Sequence, residues 1–331
     1  MGFMKAAQIR ISWHSGMPIF ASEPFLKAVS DEYGWIGGVD ESGSLRCILP
    51  FTLIREMGIR MARFRVETIP LVEGFDVEEE RLFLTKAVEY LQSYSADIII
   101  PATTNTIFRT FPVGADAAPY GSYTIDLCQP EEALWRGIDR ITRQNINTAQ
   151  KGGVCICSGI ENLEVSYVLI RDTFRRSKLP FMSLESLKRF LIGLGENGKI
   201  MAANYRGIMH SCVLFAFSEY SAYAVYGGNI ADQYQGANKL LHWEAIRFFR
   251  STGVKRYDFV GARIDPEKGS KQDALSSFKK HLGGKLRQGY MWKYPIRPMR
   301  SLAYTLGVRV FRGGDIVDHE RHKMETYRAL Q

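Results

Sequence analysis

Nothing in the sequence reads as a device for export or for crossing a membrane. Residues Met1–Arg10 lack the long apolar core of a secretory signal. No run approaches the roughly 20 apolar residues that span a bilayer. The longest, Ala96–Pro101 and Cys212–Phe217, are of buried-strand length. Cysteine is scarce: five residues, an odd number without framework spacing, argue against an exported disulfide scaffold. Cys155 and Cys157 stand two apart in an apolar stretch, so on a strand they share one face, which suits packing better than metal binding. The six histidines do not pair with cysteines at zinc-like spacing, so no structural metal is expected. There is no G-x-S-x-G elbow to present a nucleophilic serine. No segment is low-complexity. These absences predict a cytoplasmic globular protein, with a peripheral position at the inner membrane face still open.

What is present is ordinary core-forming material: 46% hydrophobic and 24% charged residues over 331 positions, enough for one large domain or two medium ones. The formal charge of +8 fits a polyanionic partner such as tRNA, a nucleotide-linked sugar or an anionic membrane face, and equally a solvated surface.

Hydrophobic periodicity predicts a strand at Gln8–Ser12 and a helix capped by Ser22 running through Tyr33. Strands follow at Trp35–Val39 and Leu45–Leu53, joined by the turn Asp40–Ser44. Val77–Tyr94 reads as a helix with Phe83, Ala87, Val88 and Leu91 on one face, and Ala96–Pro101 as a short buried strand. The second half repeats this order. Helices are expected at Leu163–Arg176 and Leu184–Leu194, and strands at Lys199–Tyr205, Ser211–Phe217 and Ala222–Tyr226. A helix at Gly236–Ser251 and a strand at Arg256–Val260 complete it. One long helix, Glu131–Lys151, is expected between the halves, ending at Gly152-Gly153. Beyond Pro295, Met299–Phe311 is amphipathic, with Leu302, Leu306 and Val310 beside Arg300, Arg309 and Arg312. The predicted division is 1–140, 141–297 and a basic amphipathic tail, 298–331.

Several stretches resemble one family. Arg143-Gln-Asn145-Ile-Asn-Thr-Ala149-Gln-Lys151-Gly-Gly153-Val154 fits R-x-N-x-x-x-A-x-K-x-G-V. Tyr257-Asp258-Phe259-Val260-Gly261 fits Y-D-F-x-G, and Phe278-Lys279-Lys280-His281-Leu282-Gly283-Gly284 fits FK-x-x-F/L-GG. Tyr226-Gly227-Gly228-Asn229 and Gly236–Glu244 fall between them in order, and Ile19–Phe25 is a weaker match. This set, spread over about Phe20 to Tyr294, resembles the Fem family of nonribosomal peptidyl transferases, which build peptidoglycan cross-bridges from aminoacyl-tRNA. The resemblance implies an α/β (α+β) fold of two tandem GNAT-like acyltransferase subdomains with a cleft between them. The long coiled-coil arm of the staphylococcal-type enzymes has no room here, since only the short stretch before Lys199 could hold it. Other relatives serve exopolysaccharide pathways.

Aminolysis of an aminoacyl ester needs a neutral amine, its close approach to the carbonyl, and stabilisation of the oxyanion that develops. By the resemblance, Phe278 and Lys279 contact the RNA end and the reacting centre. Read from the residues, Lys279 could set a cation near the tetrahedral intermediate and Phe278 could stack on a base; alternatively they end a helix, one in the core and one in solvent. Asp258 either positions or deprotonates the incoming amine, or pairs with Arg256 or caps nearby backbone N–H groups. Arg143 and Lys151, two turns apart, could hold a sugar diphosphate or RNA backbone, or form a solvated face. Gln233-Tyr-Gln-Gly236-Ala-Asn238-Lys239 resembles the GNAT phosphate loop, with Asn238 where a small residue is usual. Lys239 could bind phosphate there, or be an exposed helix lysine. Tyr226 could donate into the cleft or pack at a strand edge.

The expected function is transfer of an amino acid from aminoacyl-tRNA to an amine of a peptidoglycan precursor or similar cell-envelope acceptor, nucleotide- or lipid-linked, without a bound cofactor. The alternative is a coenzyme A-dependent N-acyltransferase, taking acetyl-CoA or another acyl-CoA and acting on an amino sugar or exopolysaccharide precursor. A third reading is a noncatalytic carbohydrate- or RNA-binding protein. The tail could pack back on the body or lie on an anionic membrane face.

Overall fold

The computed structural model describes residues 4–56 and 58–329. They divide into two compact units, Met1–Trp13 with Phe20–Gly121 and Gln288–Gln331, and His14–Ile19 with Ser122–Arg287. The first unit begins with strand β1 (Lys5–Ile9), helix α1 (Glu23–Val29), and strands β2 (Glu32–Val39), β3 (Leu45–Glu56), β4 (Ile59–Phe64) and β5 (Ile69–Pro70). Helix α2 (Val77–Ser93) and strand β6 (Ile98–Ile99) follow. Strand order is β1-β2-β3-β4-β6, with β5 on β3; β4 and β6 are parallel and the other pairs antiparallel. Asp76 and Glu79 close a reciprocal capping box at the start of α2. Its apolar stripe, Phe83, Leu84, Ala87, Val88 and Leu91, is buried with Ile36, Leu49, Phe51, Ala62 and Phe64 of the sheet.

Strand β7 (Asp116–Asp126) carries the chain into the second unit, which continues with helices α3 (Glu131–Gly137) and α4 (Arg140–Lys151) and strand β8 (Cys155–Ser158). Helices α5 (Leu163–Arg176) and α6 (Leu184–Leu194) precede strands β9 (Gly198–Tyr205), β10 (Ile208–Phe217) and β11 (Ala222–Asn229). Helix α7 (Ala237–Ser251), strands β12 (Arg256–Asp258) and β13 (Ala262–Arg263), and helix α8 (Lys271–His281) complete it. Strand β14 (Lys285–Lys293) returns to the first unit, followed by helices α9 (Pro298–Arg312) and α10 (Ile316–Ala329). The second sheet runs β13-β7-β12-β11-β10-β9-β8, with β14 on β7. Here too three antiparallel strands lead through a helix to a parallel strand, β12 beside β11. The repeated order of elements expected from the two halves is therefore present, and no long helical arm interrupts the second.

The structure corrects several expectations. α1 ends at Val29, and Tyr33 lies in β2. Ser30 stops the helix: its backbone is extended and its hydroxyl donates to the Leu53 carbonyl of β3. The expected helix Glu131–Lys151 is two helices. Asp139 breaks it by accepting from the backbone N–H groups of Ile141 and Thr142, which starts α4 afresh. β4, β7 and β14 went unforeseen. Because β7 crosses at Gly121–Ser122 and β14 returns, residues 122–140 belong with the second unit and the tail with the first.

That tail is tied down. Asp97, fully buried, accepts from the backbone N–H of Arg60 and faces Arg297 Nη1 and Arg300 Nη1, each at 3.3 Å. Lys293, also buried, donates to Asp315 at 2.9 Å and Asp318 at 2.6 Å. Val317 is buried with Ile107, Tyr120 and Met291. Arg300 is thus engaged in holding α9, whereas Met299, Leu302, Leu306 and Val310 stay exposed along one stripe of it. No helix among the described residues is long and apolar enough to cross a membrane.

Candidate functional site

Two of the expected site residues, Asp258 and Lys279, meet at the turn that follows β12. β11 and β12 pair only through Ala222–Tyr257 and Tyr223–Asp258; β11 then runs on to Asn229 while β12 stops. β11 also carries a bulge. Leu214 faces Tyr226 and Phe215 faces Ala224, so Val225 has no partner across on β10. A bulge of this kind disrupts the ladder locally and bends its strand.

Asp258 is fully buried. Its Oδ1 accepts from the Ser122 hydroxyl and, at 2.9 Å, from the backbone N–H of Val260. This pins the turn after the strand. Val260 adopts φ +41° and Gly261 φ +57°. For a β-branched residue the left-handed region is costly, and it persists only where the surroundings enforce it. The turn aims two carbonyl oxygens at Lys279, whose Nζ donates to Val260 O at 2.6 Å and Gly261 O at 2.5 Å. Burial lowers the Lys279 pKa to about 8, against the opposing pull of Asp258.

The number of N–H bonds matters here. An ammonium has three, so two on the carbonyls leave one for a ligand. A neutral amine has two, so the same grip leaves a lone pair. The cradle therefore accommodates either protonation state.

Phe278 precedes Lys279 on α8 and is half-buried against the core. Its ring lies 5.3 Å from that of His242, edge to face. His242, on α7, was not anticipated as a site residue. Its Nδ1 lies 2.6 Å from the Tyr257 hydroxyl in a buried pair, and its pKa falls to about 3 through burial and the nearby Lys279 charge. Burial likewise raises Tyr257 far above its ordinary value. The only sequence signal for this pair was a histidine inside the apolar run Leu240–Trp243, a position that usually reads as core.

The remaining expected residues lie apart from this cluster. Arg143 Nη1 donates to the carbonyls of Trp135, Arg136 and Ile138, so the guanidinium closes the C-terminal end of α3. Lys151 is exposed at the last position of α4. Gly236 has φ +84°, and a Cβ there would fall 2.1 Å from the Asn145 carbonyl oxygen, so the glycine serves close packing of the loop on α4. Gln235 donates to Asn145 Oδ1 at 3.0 Å in the same contact, while Gln233 is exposed. Lys239, half-buried on the first turn of α7, has its pKa lowered by burial and raised in part by Asp139. Tyr226 packs among Phe174, Phe181 and Phe190. Arg256 bonds Ser221 and Tyr223 and stacks over Tyr220, so of the two structural alternatives for Asp258 the backbone cap is the one present.

A cavity of about 250 Å³ lies nearby, walled by Leu134, Ile138, Trp243, Ile246 and Leu282 with Lys285 also on its lining. None of the expected site residues lines it.

No protein-family model matches the chain, and no curated protein matches it. Solved structures do. FemX superposes with a TM-score of 0.64 at 15% identity, over 87% of this chain and 93% of that one. The C-terminal domain of a putative lysylphosphatidylglycerol synthetase from Agrobacterium fabrum gives 0.53 at 12%, over 88% and 95%. L-PGS from Bacillus licheniformis gives 0.50 at 11%, over 84% and 90%. At these identities the likeness concerns the fold: a mixed α/β chain of two tandem GNAT-like units, each built on a mixed sheet.

Proposed function

We propose that the chain is an acyltransferase that moves an aminoacyl group from the terminal ribose ester of aminoacyl-tRNA to an amine of a peptidoglycan precursor or a similar cell-envelope acceptor, by direct aminolysis. The observation that carries this reading is the Lys279 ammonium held on the Val260 and Gly261 carbonyls at the open end of β12.

The neutral acceptor nitrogen attacks the ester carbonyl, forming the C–N bond and an oxyanion. The third N–H of Lys279 meets that charge in a site of low dielectric, where a fixed donor is worth more than in water. Collapse breaks the ester C–O bond, and the proton lost by the amine goes to the departing ribose oxygen. No protein nucleophile takes part. His242 stays neutral and packs behind Phe278, positioning the α8 segment that carries Lys279.

The ordered motifs resembling the Fem family and the likeness of fold to FemX support this reading. Coenzyme A draws less support, because the loop glycine that would admit its pyrophosphate, Gly236, already faces the Asn145 backbone. A thermal-shift series tests the choice. Aminoacyl-tRNA is expected to raise the melting temperature and coenzyme A to leave it unchanged, since a ligand that binds only the folded state stabilises it. The reverse pattern would remove the tRNA donor, and mass spectrometry of the product identifies the group transferred.

A further inference from the structure

Asp258 has one carboxylate oxygen in use and one idle. Oδ1 takes the Ser122 hydroxyl and the Val260 N–H, whereas Oδ2, within a fully buried side chain, receives no hydrogen bond. A buried carboxylate oxygen without a donor is unfavourable, and a catalytic or binding role is one of the few reasons a native protein keeps one. Lys279 is close enough to feel the charge of Asp258, yet its hydrogen bonds go to the Val260 and Gly261 carbonyls. The end of β12 therefore carries a cation with one N–H unassigned beside an anion with one oxygen unassigned.

We propose that Asp258 Oδ2 receives the α-ammonium of the aminoacyl donor. An α-amino ester presents a carbonyl oxygen and an ammonium on adjacent carbons, and so requires a donor and an anionic acceptor side by side. Lys279 supplies the first and Asp258 the second. A plain acyl group would use Lys279 alone and leave Oδ2 unpaired, so the carboxylate selects aminoacyl over acetyl or longer alkyl donors. Such selection is strong, because the wrong ligand leaves a buried polar group unsatisfied. Asp258 has no exposed surface, so the ammonium reaches Oδ2 only when the side chains covering it part, with the Val260 and Gly261 carbonyls still on Lys279.

The inference rests on the aminoacyl-transfer reading above and assigns the residue that reads the donor's α-ammonium. The test is calorimetric titration of the full chain with three non-hydrolysable 3′-amides of 3′-amino-3′-deoxyadenosine: alanyl, propionyl and N-acetylalanyl. The alanyl compound is expected to bind about tenfold or more tightly than the other two, as one charge-assisted hydrogen bond implies. In Asp258→Asn, similar in shape but neutral, that preference is expected to vanish. Equal binding of all three to the wild type would overturn the selection and leave the tRNA-donor reading standing. Binding of none, with acetyl-CoA bound instead, would overturn both. The wild-type series decides the matter even if the variant fails to fold.

Discussion

At the scale of single residues, Lys279 gives the site a pH signature. In the mechanism proposed it acts as a cation, and burial places its pKa at about 8. A lysine-like acceptor amine has a pKa near ~10.4, so its neutral fraction grows about tenfold per pH unit up to that point. The protonated fraction of Lys279 falls about tenfold per unit above its own pKa of about 8. Their product rises with pH, levels at the Lys279 pKa and falls only above that of the acceptor. The profile of log kcat/KM is therefore expected to bend near the Lys279 pKa, and in Lys279→Arg, which stays charged, to climb on through it. A profile that keeps rising in the wild type would show that the charge is not used. Lys279→Ala is expected to lower kcat by about 10²–10³, the usual loss for an oxyanion donor. Val260 supplies a complementary measurement. Its left-handed backbone disfavours a β-branched side chain, so Val260→Gly, unlike most Val→Gly changes, is expected to leave stability unchanged or raise it by up to about 1 kcal/mol in urea melts. A loss of more than about 1 kcal/mol would show that the turn is not strained.

At the scale of elements, the parts legible in the sequence were those with a local cause. α5 and α6 match their expected bounds because Ser183 and the apolar spacing act within a few residues. α2 was legible through its apolar stripe. β7 and β14 were not, since long-range pairing rather than a strong periodic pattern defines them. The site divides in the same way. The motifs carried Asp258 and Lys279, but the left-handed turn, the bulge at Val225 and the His242–Tyr257 pair arise only from tertiary contacts. Arg143 shows how a motif residue can serve structure. Its guanidinium engages the carbonyls that end α3, a consequence of the unforeseen break at Asp139. Arg143→Met is expected to cost about 1–2 kcal/mol by leaving those carbonyls without a donor. The salt dependence of tRNA binding is expected to stay as it was; a slope reduced by about one would return Arg143 to the phosphate contacts.

At the scale of the molecule, residues 298–331 complete the first unit and are more than an appended basic tail. Lys293 belongs to β14, but both carboxylates that neutralise it, Asp315 and Asp318, come from beyond α9. Burial alone would depress its pKa; the bonds to Asp318 and Asp315 more than offset this and raise it. Without residues 298–331 the chain would retain a buried, unpaired ammonium, and Asp97 would lose Arg300. Val317 would vacate its place among Ile107, Tyr120 and Met291. Removing one side of a buried pair typically costs about 3–5 kcal/mol, a large share of the stability of a domain this size. Deleting residues 298–331 is therefore expected to lower the melting temperature of the first unit sharply. Lys293→Met in the full chain is expected to do less harm than the deletion, because it removes the buried ammonium, leaves the more exposed Asp315 and Asp318 on their backbone N–H partners and keeps Val317 in place. Hydrogen exchange resolves the units separately: protection is expected to fall in α2 and β2–β4 and to persist in α7 and β9–β11. Full protection of α2 in the truncated chain would mean that the tail is carried by the first unit without supporting it.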